Sequence, residues 1–152
     1  MELWDAYDRE LNKLGGVTLV RGEEVPDGMY HLVSEVIVKH TDGEFLLMQR
    51  APTKHFGGMW EATAGGSALC GESPLDCARR ELLEETGLSG EFTRIGTVVH
   101  DGHRSIYAEF LCVTDHDKNS VRIQTGETAE LASVRCLHSY YEYGESNGNN
   151  QI

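Results

Sequence analysis

Apolar and polar positions first organise the chain between His31 and Lys39, which reads His-Leu-Val-Ser-Glu-Val-Ile-Val-Lys. A run this apolar and β-branched predicts a largely buried strand. Thr41-Asp42-Gly43-Glu44 is hairpin chemistry, and Phe45–Gln49 is the return strand. Upstream, residues 3–7 and 17–21 form two short strands around a polar turn at Asn12–Gly16, and Val25-Pro26-Asp27-Gly28 is a tight turn. Ala51–Met59 is a loop, and a short strand at Trp60–Ala64 runs into Gly65-Gly66.

The period then lengthens from two to about 3.6 residues. Ser73 or its neighbour caps a helix with Pro74 at its first position and Asp76 in its first turn; it runs to Thr86 and stops at Gly87. Leu75, Ala78, Leu82 and Thr86 share one side and are expected to face the core. Strands follow near Phe92–Val99 and Ser105–Val113, then a polar surface loop over Thr114–Gly126 and a last strand near Leu131–Leu137. Leu137–Tyr143 adds a partial helix. Residues 1–143 are read as one domain with 1–30 as an N-terminal hairpin extension, and 144–152 as a disordered polar tail. Strands on both sides of one central helix predict an α+β arrangement with a mixed sheet.

The 152 residues carry a net charge of −12. That sign excludes a basic groove for a nucleic-acid polymer. No apolar run reaches the roughly 20 residues of a membrane span. The N-terminus is acidic and carries no basic region before an apolar stretch, so a cytoplasmic protein is expected. Cys70, Cys77, Cys112 and Cys136 are scattered without a C-x-x-C pair and read as buried or reduced thiols. An acidic protein repels a phosphate substrate unless a bound cation intervenes.

Residues 66–88 supply oxygen ligands for such a cation. On a helix, Glu81, Glu84 and Glu85 project within about one third of the circumference. Three neighbouring carboxylates repel one another by about 4 kcal/mol per pair at 4 Å and an effective dielectric of 20. A solvated charged face can screen this, but the surroundings point elsewhere. Arg80 can orient one of the acids, Glu72 precedes the helix where the dipole favours a carboxylate, and Gly65-Gly66 allows close backbone approach. Hard oxygen ligands in this number suit Mg²⁺ or Mn²⁺.

The segment resembles the Nudix box. Gly66, Glu72, Arg80, Glu81, Leu82, Glu84, Glu85, Gly87 and Leu88 match every fixed position of that pattern. At average residue frequencies a chance match in a chain this long is roughly 10⁻⁸. The resemblance extends over most of positions 1–115 and implies an α/β/α sandwich with a mixed sheet. It implies metal ligation by Glu81, Glu84 and Glu85, with a contact from the Gly66 carbonyl, orientation of a box carboxylate by Arg80, and support from Glu72. The implied reaction is water attack on a small-molecule diphosphate, a nucleoside diphosphate derivative or similar compound, and a homodimer is compatible with it. Glu81, Glu127 and Glu130 are candidates for the general base, the latter two also for substrate contact. Arg50 and Lys54 are candidates for phosphate contact, and Trp60 and Phe56 for stacking on a base. His100 and His103 flank a hairpin turn and read as exposed.

Trp4-Asp5, Arg21-Gly22, Tyr30–Val33 and Leu47–Arg50 further resemble the isopentenyl-diphosphate-isomerase-like branch of bacterial Nudix proteins. An isomerase is therefore the runner-up. Against it, Gly65 stands where the isomerases' catalytic cysteine would be and Ser67 where their metal-binding histidine would be, while the box is intact. A ligand-binding domain with a vestigial site is a third reading, disfavoured because no box acid is lost.

Overall fold

The computed structural model describes residues 1–135. Its strands are β1 (Leu3–Tyr7), β2 (Lys13–Val20), β3 (His31–His40), β4 (Phe45–Arg50), β5 (Trp60–Glu61), β6 (Thr63–Ser67), β7 (Glu91–His100), β8 (Ser105–Thr114) and β9 (Thr128–Val134). Helix α1 (Pro74–Thr86) lies between β6 and β7.

β1 and β2 form a separate antiparallel ribbon. The other seven strands form one mixed sheet. β3 and β8 run parallel over ten matched residues, while β3 pairs antiparallel with β6 and β8 with β7. β3 and β4 meet at Lys39↔Phe45 and then separate, β4 turning to β5 and β9. The sheet is thus open between β3 and β4, and the candidate site uses that opening.

Alternation sorts β3 by face. Leu32, Ser34, Val36 and Val38 are buried beneath α1 with Ile106, Ala108, Phe110 and Cys112 of β8. Ala78, Leu82 and Thr86 of α1 are fully buried, as their spacing predicts, whereas Leu75 is half-buried at the edge. Cys77 joins the buried face, because a helix lying flat on a sheet covers a stripe wider than one row. The Ser34 hydroxyl donates to the Pro74 carbonyl at 2.8 Å and ties the helix start to the sheet.

Several boundaries differ from those read in the sequence. β2 begins at Lys13 rather than residue 17: Lys13 pairs with Tyr7 across a bulge, and its ammonium lies 2.7 Å from Asp5, so tertiary contact extends a strand through Gly15-Gly16. The Trp60–Ala64 strand is two pieces, because Trp60-Glu61 pair with β4 and Thr63 onward with β3. The 114–126 loop contains a 3₁₀ turn at Lys118–Ser120. The last strand begins at Thr128, three residues before Leu131. Among the described residues α1 is the one α-helix, so one helical layer of the expected sandwich is visible. The partial helix at Leu137–Tyr143, the tail 144–152 and Cys136 lie outside the described residues. No helix among the described residues is long and apolar enough to cross a membrane.

Candidate active site

Helix α1 is fixed at both ends. The Ser73 hydroxyl accepts from the Asp76 amide while the Asp76 carboxylate accepts from the Ser73 amide, a reciprocal cap. Gly87 adopts φ 72°, and its amide donates to the Leu83 carbonyl at 2.9 Å. A helix held this way, with Leu82 and Thr86 in the core, presents Glu81, Glu84 and Glu85 outward at fixed positions.

Arg80 organises the acids. Its Nε and one Nη donate to the two oxygens of Glu72 at 2.6 and 2.9 Å. The other Nη reaches Glu81 at 2.6 Å and Glu84 at 3.3 Å. The fork therefore grips the acid before the helix, whereas the sequence suggested a bidentate grip on a neighbouring acid without saying which. Glu72 also accepts from the Leu69 amide at 2.9 Å, and Arg80 holds its carboxyl below the usual range. Arg80 itself is held firmly charged by Glu72.

The acids farther in behave differently. Burial pushes Glu81 above the usual carboxylate range despite its contact with Arg80. Burial, with Glu81 and Glu61 nearby, pushes Glu85 up to about 8. Two carboxylates thus face a cavity with more negative charge than their cationic neighbours balance.

Two glycines make this geometry possible. A Cβ on Gly66 would lie 2.6 Å from the Glu81 carboxyl carbon and one of its oxygens. A Cβ on Gly65 would lie 2.1 Å from the Ser34 carbonyl oxygen, so β6 approaches β3 there as closely as a bare backbone allows. The Gly66 carbonyl accepts from the Cys77 thiol at 3.4 Å.

The acids line a cavity of about 430 Å³ that also includes Gly66, Ser67 and Arg80. A smaller one of about 150 Å³ adjoins it in the opening between β3 and β4, lined by Val33, Glu35, Arg50, Glu61 and Thr63. Gly65, Glu85, Lys54 and Glu127 line both. Lys54 lies 2.5 Å from Glu127, joining the 51–59 loop to the later one. Arg50 donates to Glu61 at 2.8 Å and to the His55 carbonyl at 2.9 Å.

Other candidates fall elsewhere. Trp60 is 2% exposed and packs with Leu47 and Val134, which leaves no open ring face for a base. Glu130 is exposed on β9 and lines neither cavity. Phe56 is exposed against His55. His100 is exposed at the β7–β8 turn, as is His103. Cys77 and Cys112 are buried, whereas Cys70 is exposed.

Glu35, Glu61, Glu2 and Arg21 line the two cavities but were missed in the sequence. Glu35 carries a signal, since a carboxylate interrupts the apolar run of β3; burial and the neighbouring Glu109 raise it above the ordinary range. Glu61 is likewise raised by burial, partly offset by Arg50. Glu2 and Arg21 depend on where the β1–β2 ribbon docks, which no local pattern encodes.

Among the described residues no three His, Cys, Asp or Glu side chains converge closely enough to cage an ion unaided. Arg80 holds Glu81 and Glu84 on one of its own nitrogens.

The family model described as NUDIX domain matches residues 29–150. An uncharacterized Nudix hydrolase of Listeria innocua is 29% identical over 136 residues, covering 88% of this chain and 80% of its own. An isopentenyl-diphosphate Delta-isomerase of Serratia proteamaculans is 31% identical over 100 residues, covering 65% of this chain and 55% of its own. A crystal structure of a Deinococcus radiodurans protein superposes with a TM-score of 0.73 at 15% identity, covering 95% of this chain and 90% of that one, and shares the fold.

Proposed function

Starting from the chain's membership of the Nudix hydrolase family, we propose that it hydrolyses a diphosphate linkage in a small molecule, such as a nucleoside diphosphate derivative, with Mg²⁺ or Mn²⁺ held by Glu81, Glu84 and Glu85. The observation that carries this reading is the pair of half-buried, under-compensated carboxylates, Glu81 and Glu85, lining the larger cavity. Such a pair is costly unless a cation joins it. The donors are all oxygen, as a hard divalent cation prefers, and a cation that keeps waters and shares substrate oxygens needs no complete protein cage. The residues therefore fit the ion.

Such an ion, when bound, neutralises phosphate oxygens and makes a bound water easier to ionise. The chain's own contribution is placement. Glu72 holds Arg80, and Arg80 fixes one oxygen of Glu81 and the rim acid Glu84. The bare Gly66 leaves room for the Glu81 carboxylate. Its carbonyl, now accepting from Cys77, is a further oxygen for the ion. Lys54 and Arg50 meet substrate oxygens, Lys54 by exchanging Glu127 for the phosphate. Glu81 and Glu127 are the acids offered to take the proton of the attacking water; Glu130 is not, because it lies outside the cavity lining.

The isomerase alternative meets a steric objection. At Gly65, where that chemistry would need a cysteine, the first side-chain atom would lie 2.1 Å from a backbone oxygen. The test is a panel of nucleoside diphosphate derivatives, nucleotide sugars, dinucleotides and prenyl diphosphates, each incubated with Mg²⁺, with Mn²⁺ and with a chelator. Metal-dependent release of a phosphorylated product from at least one member is expected. Rearranged prenyl diphosphate without phosphate release would overturn the reading.

A further inference from the structure

One wall of the larger cavity comes from outside the residues matched by the family model. Glu2 and Arg21, at the open end of the β1–β2 ribbon, line it with Glu81, Glu84 and Glu85. Arg21 donates to one oxygen of Glu2 at 2.9 Å, and its amide to the Glu2 carbonyl at 3.0 Å. The other Glu2 oxygen accepts from the Trp4 indole at 2.7 Å. Trp4 is buried and stacks on His31, ring centroids 4.3 Å apart and 15° from parallel. His31 in turn hydrogen-bonds the Ser105 hydroxyl through Nε2 at 2.8 Å. The partner of Arg21 is therefore anchored through Trp4 and His31 to the main sheet.

A guanidinium carries five N–H donors, and the contact with Glu2 engages one of its nitrogens. The other cations lining the cavity are placed for other contacts. Arg80 is divided among Glu72, Glu81 and Glu84, and Lys54 faces Glu127 at the boundary with the smaller cavity. Arg21 lines the larger cavity and not the smaller one. An anion in the larger cavity meets acids on α1 and needs a cation beside it.

Building on the diphosphate reading, we propose that Arg21 binds a further phosphate of the substrate, beyond the diphosphate that is cleaved, in the part of the larger cavity that the ribbon lines. Glu2 and Trp4 are its positioning residues. The ribbon is then a specificity element added to the family domain, and it favours substrates with a third phosphate.

The test titrates wild type, Arg21→Gln, Arg21→Lys and Glu2→Ala with inorganic pyrophosphate and inorganic tripolyphosphate. Calcium replaces magnesium to hold turnover down, and calorimetry gives the affinities. Wild type is expected to prefer tripolyphosphate. Arg21→Gln weakens tripolyphosphate by about tenfold, as for one lost charge-assisted contact, and leaves pyrophosphate unchanged. Arg21→Lys restores part of the preference, and Glu2→Ala shifts the ratio in the direction of Arg21→Gln while circular dichroism shows it folded. An unchanged ratio in Arg21→Gln, or equal loss of both anions, overturns the role of Arg21 while leaving the diphosphate site standing. Failure of wild type to bind either anion overturns both.

Discussion

Gly66 and the Glu81 carboxylate occupy almost the same space: a Cβ on the glycine would sit 2.6 Å from the carboxyl carbon. Glu81 belongs to a capped helix and is gripped by Arg80, so it has little freedom to retreat. Gly66→Ala is expected to displace the carboxylate by a fraction of an ångström to an ångström and to lower turnover by about 100-fold. Steady-state kinetics at saturating metal, beside circular dichroism to establish folding, check this.

Glu72 is expected to matter through Arg80. Glu72→Ala removes two bonds from Arg80 and one from the Leu69 amide, and leaves the guanidinium its contacts with Glu81, Glu84 and the Ser67 carbonyl. The loss is about 2 kcal/mol, or roughly 4–8 °C in melting temperature for a chain of this size. Thermal unfolding in a chelator isolates this effect from metal binding. A melting temperature equal to wild type would contradict it.

Helix α1 and its charges were legible in the sequence because they obey local rules: the cap at Ser73, the stop at Gly87, and a 3.6-residue period with Ala78, Leu82 and Thr86 inward. The box residues follow from that helix. What escaped depends on contacts between distant segments. Trp60 looks like a binding platform in a Gly-rich neighbourhood, but pairing of β5 with β4 turns it into the core beside Leu47. Arg21 reads as the end of a short strand, and its place at the cavity follows only from where the ribbon docks. Glu35 was the readable exception, a carboxylate in a strand otherwise read as buried.

Gly65→Cys tests the isomerase alternative and the strand packing together. Its Cβ would meet backbone rather than a movable side chain, so β6 must shift from β3. A destabilisation of about 1–3 kcal/mol is expected, the range for overpacking, with no gain of double-bond isomerisation. Denaturant unfolding and a prenyl diphosphate assay check the two halves.

Asp101 should leave a signature in acid. Hydrogen bonds from Arg9 and then Tyr30 lower its carboxyl to about 2. A folded-state value below the unfolded one adds stability above the unfolded value, and that stability is lost as pH falls from about 4 toward 2. Asp101→Asn is expected to flatten the melting temperature against pH across that window and to lower it at neutral pH. Parallel curves for variant and wild type would contradict this assignment.

The central claim is that Glu85 belongs to a metal site serving hydrolysis. The most direct measurement is Mg²⁺-dependent turnover of the best substrate in the panel by wild type and Glu85→Gln, titrated with metal and paired with thermal unfolding in chelator. The expected result is that Glu85→Gln loses turnover and most of the metal-induced rise in melting temperature, while its chelated form is at least as stable as wild type because a neutral amide replaces a carboxyl that is costly to ionise there. Equal turnover by the two proteins at every metal concentration would contradict the account.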